Sequence, residues 1–352
     1  MKKPTTMKAL LYTKAGRANA AVTQIPYPQC GDDDIIMKVM SCGICKGAEF
    51  DHDRNGTGFA KYPVVPGHEF AGYIVELGKN VTGYQLGDRI TADNSVFCNH
   101  CDYCKDNKHN YCKNFGSLGH NINGGFAEYV VVSQDKAFPI PEGMSFNSAS
   151  LAEPVACCMH AMDRLDVKYG EVVVVFGAGP NGVILSELLK GSNAADVITV
   201  ASTQSKLDMI AKHGVKTILM DRNDYSKHEN VLRGMYPNGV DAIVDATGSV
   251  DVIKNGFKLL KKGGRMLQYA AIHDGQAFDF DPMYLFMNEL TYTSSCCQAF
   301  CFSRSIEALA NGTVDGDELI THEFDLDDYF DALDLNVRDR SAIKVIIHPN
   351  KE

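Results

Sequence analysis

The chain has 352 residues, of which 45% are hydrophobic and 22% charged, and its formal net charge is −10. This length suffices for two domains that each bury a core, and the composition is that of an ordinary globular protein. The negative charge and the lack of a long basic run argue against a nucleic-acid partner. The N-terminal residues show no apolar stretch of the length that a signal peptide or a membrane span requires, so we expect a cytoplasmic protein that does not engage a membrane.

Twelve cysteines are many for a protein of a reducing compartment, where disulfides are rare. Clustered cysteines in such a chain therefore indicate metal ligation. We expect the unclustered ones to be small buried hydrophobic residues. They are Cys30, Cys42, Cys157, Cys158, Cys296, Cys297 and Cys301.

The first 150 residues or so have the pattern of a β-rich domain, because short apolar runs alternate with Gly, Asp and Asn turn signals. Such runs occupy residues 35–39, 71–77 and 126–132. After Glu153 the pattern changes, and the fully apolar run 172–176 is typical of a strand buried on both faces.

Strands and helices alternate after that point, which predicts a parallel, doubly wound sheet and an α/β fold class. The predicted strands are residues 172–176, 197–200, 242–244 and 265–269, and the predicted helices are 181–190 and 204–213. A final apolar run at 342–347 predicts a strand that returns to the first domain.

Four cysteines with metal-ligand spacing lie in a polar segment: Cys98, Cys101, Cys104 and Cys112. Thiolates at this spacing converge on one tetrahedral ion, and four of them close its coordination shell, which predicts a structural zinc rather than a reactive one. Free surface thiols and an iron–sulfur cluster are the alternatives. His100 and His109 are surplus to a four-sulfur site, so we expect them to be solvated.

A glycine-rich turn follows the 172–176 strand and opens a helix, which is the context that dinucleotide binding requires. Gly177 allows the tight turn, Gly179 lets a pyrophosphate approach the backbone, and Gly182 permits close helix–strand packing. Pro180 and Asn181 complete the turn, where the helix N-terminus favours anionic phosphates. A glycine turn in an α/β domain without a ligand is the alternative.

The end of the next strand bears on the choice between NAD and NADP, since an acidic residue there would bind the ribose hydroxyls of NAD. The residues are Ala201, Ser202 and Thr203, with Lys206 shortly after. This strand end has no carboxylate that would repel a 2′-phosphate, and the two hydroxyls with the lysine could bind one. We therefore favour NADP and leave NAD open.

Taken together, an ordered set of motifs resembles the zinc-containing medium-chain alcohol/polyol dehydrogenase family over essentially the whole length. The motifs lie at residues 67–72, 87–89, 98–112, 124–129, 153–154, 177–182 and 239–248. Glu153-Pro154 is closest to the sorbitol and polyol-phosphate branch. The resemblance implies a GroES-like catalytic domain at 1–153 with a zinc lobe at 95–115, a Rossmann dinucleotide-binding domain at 154–295, and a C-terminal return at 296–352.

The resemblance also implies a catalytic metal bound by Cys45, His68 and Glu69. Glu153 would be a fourth ligand or would hold a water molecule there. Cys45 rather than Cys42 matches the family ligand, because that ligand follows a Gly-Ile pair. Zinc is the expected ion, and Mn²⁺ or Co²⁺ could substitute if two carboxylates join the shell. Lys344 and Lys46 match basic positions near the cofactor phosphates.

The sequence departs from the family in one segment. The family usually has Ser or Thr two residues after the ligand cysteine, then Asp, and often a relay histidine; here these positions are Gly47, Ala48 and Phe50. A protein without catalysis is one explanation. We favour a rerouted proton relay through His52, Glu49 or a water on Glu153.

The expected substrate is a secondary alcohol, and we favour a sugar alcohol or its phosphate, which would be oxidised to a ketose or ketose phosphate. A simple secondary alcohol, a diol or a threonine-type substrate is the alternative, and so is a redox sensor that binds NAD(P) without turnover. The candidate substrate groups are Lys46, Arg54, Arg304 and Gln298. Relatives in the family imply a homodimer or homotetramer.

Overall fold

The computed structural model describes residues 3–54, 59–272 and 275–351. The chain divides into two compact units, Met1–Pro154 with Phe302–Glu352 and Val155–Cys301. The boundaries expected from the sequence are 153/154 and 295/296. None of the helices in the described ranges combines the length and the apolar character needed to cross a bilayer.

The strands are numbered in chain order. They are β1 Thr6–Tyr12, β2 Ala20–Pro26, β3 Asp34–Gly43, β4 Glu69–Leu77, β5 Arg89–Ala92, β6 Ser95–Val96, β7 Gly116–Ser117, β8 Tyr129–Ser133, β9 Ala137–Pro139, β10 Val172–Phe176, β11 Asp196–Ala201, β12 Lys216–Leu219, β13 Val240–Asp245, β14 Leu260–Gln268, β15 Thr291–Ser294, β16 Ile320–Asp325 and β17 Lys344–His348.

The α-helices are numbered in the same way, and short 3₁₀ turns connect several elements. The helices are α1 Lys46–Asp53, α2 Asp102–Lys105, α3 Phe146–Ser150, α4 Ala152–Leu165, α5 Pro180–Lys190, α6 Gln204–Lys212, α7 Ser226–Met235, α8 Val250–Gly256, α9 Pro282–Asn288, α10 Phe302–Ala310, α11 Gly316–Leu319 and α12 Tyr329–Arg338. The 3₁₀ turns are Arg17–Asn19, His109–Tyr111, Gln134–Lys136, Phe257–Leu259 and Leu326–Asp328.

The unit Val155–Cys301 is built on a sheet with the strand order β12-β11-β10-β13-β14-β15, and every neighbouring pair is parallel. This is the doubly wound order of a dinucleotide-binding domain, in which the first strand lies at the point where the order reverses. That first strand is β10, whose residues are almost entirely buried, as its unbroken apolar run requires. The predicted α/β fold with a doubly wound sheet is confirmed.

The other unit is built on a mostly antiparallel sheet with the order β16-β17-β3-β4-β5-β9, and β8 also pairs with β3. The long strand β3 runs through its centre, and its apolar residues form a core with β1, β4 and α12. The predicted strand at 126–132 begins later than expected, at Tyr129. The reason is that the Phe126 carbonyl accepts the Leu10 amide at 2.9 Å, so this stretch bonds β1 before it joins β3.

Three strand ends meet at one edge of this sheet. Gly43, the last residue of β3, pairs with Glu69 at the start of β4 and with Ile346 of β17. The Ile44 amide then donates to the Val345 carbonyl at 2.9 Å, which fixes the chain as it leaves β3. Residues just outside these ends are therefore brought together from three distant parts of the sequence.

Candidate metal centre and cofactor site

The strand ends bring together the three residues for which a catalytic metal is predicted. The donor atoms of Cys45, His68 and Glu69 all lie within 4.8 Å of one another. His68 and Glu69 are almost fully buried, and Cys45 is partly exposed. One sulfur, one imidazole nitrogen and one carboxylate oxygen form a donor set suited to zinc, and three protein ligands would leave one tetrahedral position for a further ligand.

Burial disfavours the charged forms of the acidic groups at this cluster. Burial and the neighbouring Glu69 raise the pKa of Cys45 to about 11, and the charge of Glu153 adds to that rise. Burial also raises the pKa of Glu49 to about 8. The protein alone therefore favours the protonated forms of this thiol and this carboxyl group, and a bound divalent cation would favour the deprotonated forms that ligate a metal.

Lys344 opens β17 and forms an ion pair with Glu69 in which both side chains are buried. Burial alone would lower the pKa of Lys344, but the charges of Glu69 and Cys45 raise it above its usual value. Gly43 makes room for the pair, since a β-carbon there would clash with the Glu69 carboxylate. The structure thus places Lys344 against a predicted metal ligand. Its role near the cofactor phosphates stays a prediction.

Glu153 lies in the first turn of α4 and is partly exposed. The charge of Glu153 contributes to the raised pKa of Cys45. Glu153 is not, however, one of the three residues whose donor atoms lie within 4.8 Å of one another. This position is compatible with a group that acts next to a metal ion, and the choice between fourth ligand and neighbour stays open.

Glu49 and His120 are site residues that the sequence analysis did not place at the metal. Glu49 is fully buried, accepts the Cys45 amide at 2.7 Å, and has its second oxygen 3.7 Å from His68 Nδ1. The ring of His120 lies against that of His68, with 4.5 Å between centroids. Burial and the charge of His68 lower the pKa of His120 well below its usual value, so the ring is neutral. The contacts of Glu49 and His120 with His68 join residues distant in sequence, so only the tertiary structure reveals them.

His52, considered above for the proton relay, is buried in α1. Its Nε2 donates to the Gly119 carbonyl at 3.2 Å, so its Nδ1 accepts from the Tyr62 hydroxyl at 3.0 Å. Both ring nitrogens are engaged in structural hydrogen bonds. These contacts give the ring a structural role, and its part in a proton relay stays a prediction.

Gly47, the position of the missing family hydroxyl, faces open space. A β-carbon built there would meet no heavy atom within 4 Å. The glycine is therefore not required by packing at this point of α1. A serine or threonine side chain would therefore fit at this position without a clash of its β-carbon.

The four predicted structural ligands form a compact cluster in the segment between β6 and β7. The Sγ–Sγ distance is 3.5 Å for Cys98–Cys112, 3.6 Å for Cys101–Cys104 and 4.0 Å for Cys98–Cys104. A tetrahedral ion with Zn–S bonds of about 2.3 Å requires sulfurs about 3.8 Å apart. The sulfurs therefore have the spacing of a zinc site. Among the described residues, no histidine joins this group.

The glycine turn has the geometry that a pyrophosphate needs. Gly177 has φ +113° and follows β10 directly, and a β-carbon at Gly182 would clash with the Gly177 carbonyl. Gly179 caps α5, and a β-carbon there would meet nothing within 4 Å. Pro180 opens the helix and Asn181 follows it, so the helix N-terminus faces this open space.

The strand end after β11 carries a basic residue that the sequence analysis missed. Arg222 donates from Nε to Ser202 Oγ at 2.9 Å. Thr203 caps α6, and Lys206 lies in the first turn of that helix. Arg222 is twenty positions from Ser202 along the chain, and the parallel pairing of β11 with β12 brings the two together.

The candidate substrate groups have mixed surroundings. Lys46 donates to the Asn336 carbonyl at 2.8 Å, and the Arg54 guanidinium lies over the Phe50 ring at 5.2 Å. Gln298 is buried and accepts the Cys301 amide at 3.4 Å. Arg304 lies in α10, and its role stays a prediction.

The expectation that unclustered cysteines are buried is wrong for Cys296 and Cys297, which are exposed. They follow β15 in an irregular segment where Cys297 has φ +59°, so neither cysteine lies on a strand or helix packed into the core. Cys30 and Cys157 are partly exposed, and only Cys42, Cys158 and Cys301 are buried as expected. Cys301 Sγ donates to the Ala299 carbonyl at 3.1 Å, so its thiol has an ordinary partner.

Comparison with known families agrees with this architecture. Residues 31–142 match the model of the alcohol dehydrogenase GroES-like domain. Residues 180–311 match the model of the zinc-binding dehydrogenase family. The two matches fall on the β-rich unit and largely on the doubly wound unit.

Several relatives align over nearly the full chain. D-arabinitol dehydrogenase 1 of Uromyces fabae is 32% identical over 99% of this chain and 98% of its own length. D-arabitol-phosphate dehydrogenase of Enterococcus avium is 30% identical over 99% of both chains. Among solved structures, a zinc-binding dehydrogenase from Sinorhizobium meliloti 1021 bound to NADP superposes with a TM-score of 0.91, at 29% identity, over 98% of this chain and 100% of that one.

Fold and site together define a zinc-type, NAD(P)-dependent oxidoreductase. The chain belongs to the zinc-containing medium-chain polyol dehydrogenase family, as its motifs indicated.

Proposed function

We propose that this protein oxidises a sugar alcohol or sugar-alcohol phosphate to the corresponding ketose or ketose phosphate, with NAD(P)⁺ as hydride acceptor. The observation that carries the proposal is the convergence of the Cys45, His68 and Glu69 donors at one buried edge of the sheet. Relatives that act on arabinitol and arabitol phosphate support the substrate class. The metal is proposed to be zinc, with Mn²⁺ or Co²⁺ as substitutes.

A metal held by these three residues would act as a Lewis acid toward the substrate hydroxyl, and the nicotinamide would accept the hydride. The protein's own contribution is positioning and charge. Lys344 neutralises Glu69, so the donors can stay close together in a buried place. The open space at Gly47 would give a branched secondary alcohol room to approach.

The proton released from the substrate needs an acceptor, because the family hydroxyl is absent at Gly47. His52 uses both nitrogens elsewhere, and Glu49 is fully buried with one oxygen on the Cys45 amide. Glu153 is partly exposed, and its charge reaches Cys45. We therefore assign proton acceptance to the Glu153 carboxylate, directly or through a water molecule.

For the cofactor we propose a preference for NADP. Ser202 and Arg222 are in contact, and Thr203 and Lys206 begin the next helix, so a 2′-phosphate would meet a hydroxyl and a guanidinium at this strand end. Ala201 leaves the strand end without a carboxylate. A charge-assisted hydrogen bond from a guanidinium contributes roughly 1.5–3 kcal/mol.

Ala201→Asp tests this preference. The new carboxylate should repel the 2′-phosphate and bind ribose hydroxyls, so the ratio of kcat/KM for NADP⁺ to that for NAD⁺ should fall roughly 10- to 100-fold. Ala201→Asn, which has the same size without the charge, is the control for packing at this buried position. An unchanged ratio in Ala201→Asp would refute the assignment of this strand end.

The function itself is tested by initial rates with both cofactors against a panel of pentitols, hexitols, their phosphates, simple secondary alcohols and 2,3-butanediol. Fastest turnover of a polyol or polyol phosphate is expected. Preference for a simple alcohol or diol would contradict the substrate class. No turnover of any alcohol by protein that carries its full metal and binds cofactor tightly would favour the alternative of a redox sensor. A cytoplasmic location and a dimeric or tetrameric state remain proposals.

A further inference from the structure

Glu49 is a fully buried carboxylate whose two oxygens face two different metal-site residues. It lies in the first turn of α1, four residues after Cys45, and is fully buried. Its Oε2 accepts the Cys45 backbone amide at 2.7 Å, so the carboxylate caps the helix that Cys45 begins. This bond fixes the carboxylate and leaves Oε1 facing away from the helix end.

The second oxygen faces a complementary atom. Glu49 Oε1 and His68 Nδ1 lie 3.7 Å apart, and both are buried with no hydrogen-bond partner. Buried polar atoms without partners are rare, because each costs roughly 1–3 kcal/mol. An imidazole that binds a metal through Nε2 carries its proton on Nδ1, and that N–H is nearly always held by a carboxylate, a carbonyl or water.

We propose that Glu49 orients His68 for metal binding, by accepting the Nδ1–H and so presenting the Nε2 lone pair to the ion. Glu49 is a positioning residue, because one carboxylate oxygen accepts the Cys45 amide and the other would accept the His68 Nδ1–H. The segment that lost the usual hydroxyl, acid and histidine at Gly47, Ala48 and Phe50 thus retains one acid with a defined task. This inference rests on the proposed metal centre.

Glu49→Gln separates this role from simple helix capping. The amide retains an oxygen for the Cys45 N–H, so a residue that only caps α1 would tolerate the change. Its NH₂ group, however, would face His68 Nδ1 and donate to it. That bond favours the tautomer with the proton on Nε2, which cannot bind a metal.

The experiment measures metal content and release in the full-length protein, without substrate. Wild type, Glu49→Gln and the matched control Glu128→Gln are loaded with zinc and challenged with a competing chelator. Glu128 likewise accepts a backbone amide, that of Lys8 at 2.6 Å, but stands outside the site. Loss of supporting hydrogen bonds at a metal-bound histidine typically weakens affinity about 10- to 100-fold.

We expect Glu49→Gln to release one of two zinc ions about 10- to 100-fold more readily, while the ion of the four-cysteine cluster and the melting temperature stay as in wild type. With Co²⁺ in the weakened site, the visible absorption bands should shift relative to wild type. Retention of both ions as tightly as in wild type and Glu128→Gln would overturn the role of Glu49. A wild-type protein that binds only one ion would instead overturn the metal centre itself.

Discussion

Cys104→Ser probes the four-cysteine cluster, where the geometry allows a quantitative expectation. Cys104 is buried, with its sulfur 3.6 Å from that of Cys101 and 4.0 Å from that of Cys98. Structural zinc sites contribute roughly 10–16 kcal/mol in small peptides, so one of four equal thiolates contributes roughly 2.5–4 kcal/mol. Zinc affinity at this cluster should therefore fall about 10²- to 10³-fold.

The assay is zinc transfer to a chromophoric chelator, combined with limited proteolysis of the 97–115 segment. In this segment the cysteines and two phenylalanines, Phe97 and Phe115, form the local apolar cluster. Without zinc we expect the segment to become sensitive to protease while the two larger cores persist. Cys30→Ser, the same change at a partly exposed cysteine outside the cluster, should keep wild-type zinc. Equal zinc retention in Cys104→Ser and Cys30→Ser would refute the structural zinc.

Two further predictions concern the proton path. Glu153→Gln should lower kcat about 10²- to 10⁴-fold, as expected for loss of a proton-transfer group, with metal content unchanged; loss of the metal instead would show that Glu153 is a ligand. Gly47→Ser should change the free energy of unfolding by less than about 1 kcal/mol in a denaturant titration, because its β-carbon meets open space. It should also change kcat less than about threefold, since the proton leaves through Glu153; a tenfold gain would contradict that path.

Much of the fold could be predicted from local pattern. The glycine turn and its strand were predicted where the structure has them, since an unbroken apolar run followed by glycines has few other solutions. The strand predicted at 126–132 begins later in the structure because its first residues form hydrogen bonds with β1. No local sequence pattern indicates these hydrogen bonds. The exposed pair Cys296 and Cys297 was wrongly expected to be buried, because these residues lie in an irregular segment rather than on a strand or helix packed into the core.

The candidate site was predictable only where residues carry chemistry at short spacing. The spacing of the cysteines and the adjacent His68 and Glu69 could be recognised in the sequence. Arg222, by contrast, reaches Ser202 through strand pairing. Glu49 meets His68 because β3 and β4 are neighbours. Contacts between residues distant in sequence follow from tertiary structure, and a single sequence does not encode them as a readable pattern.

The most direct test of the central claim is a crystal structure with NADP⁺ and a polyol, recorded at wavelengths on both sides of the zinc absorption edge. Two anomalous peaks per chain are predicted. One should lie among Cys98, Cys101, Cys104 and Cys112, and the other among Cys45, His68 and Glu69, with a polyol hydroxyl beside it. Absence of the second peak in zinc-loaded, active protein would contradict the account.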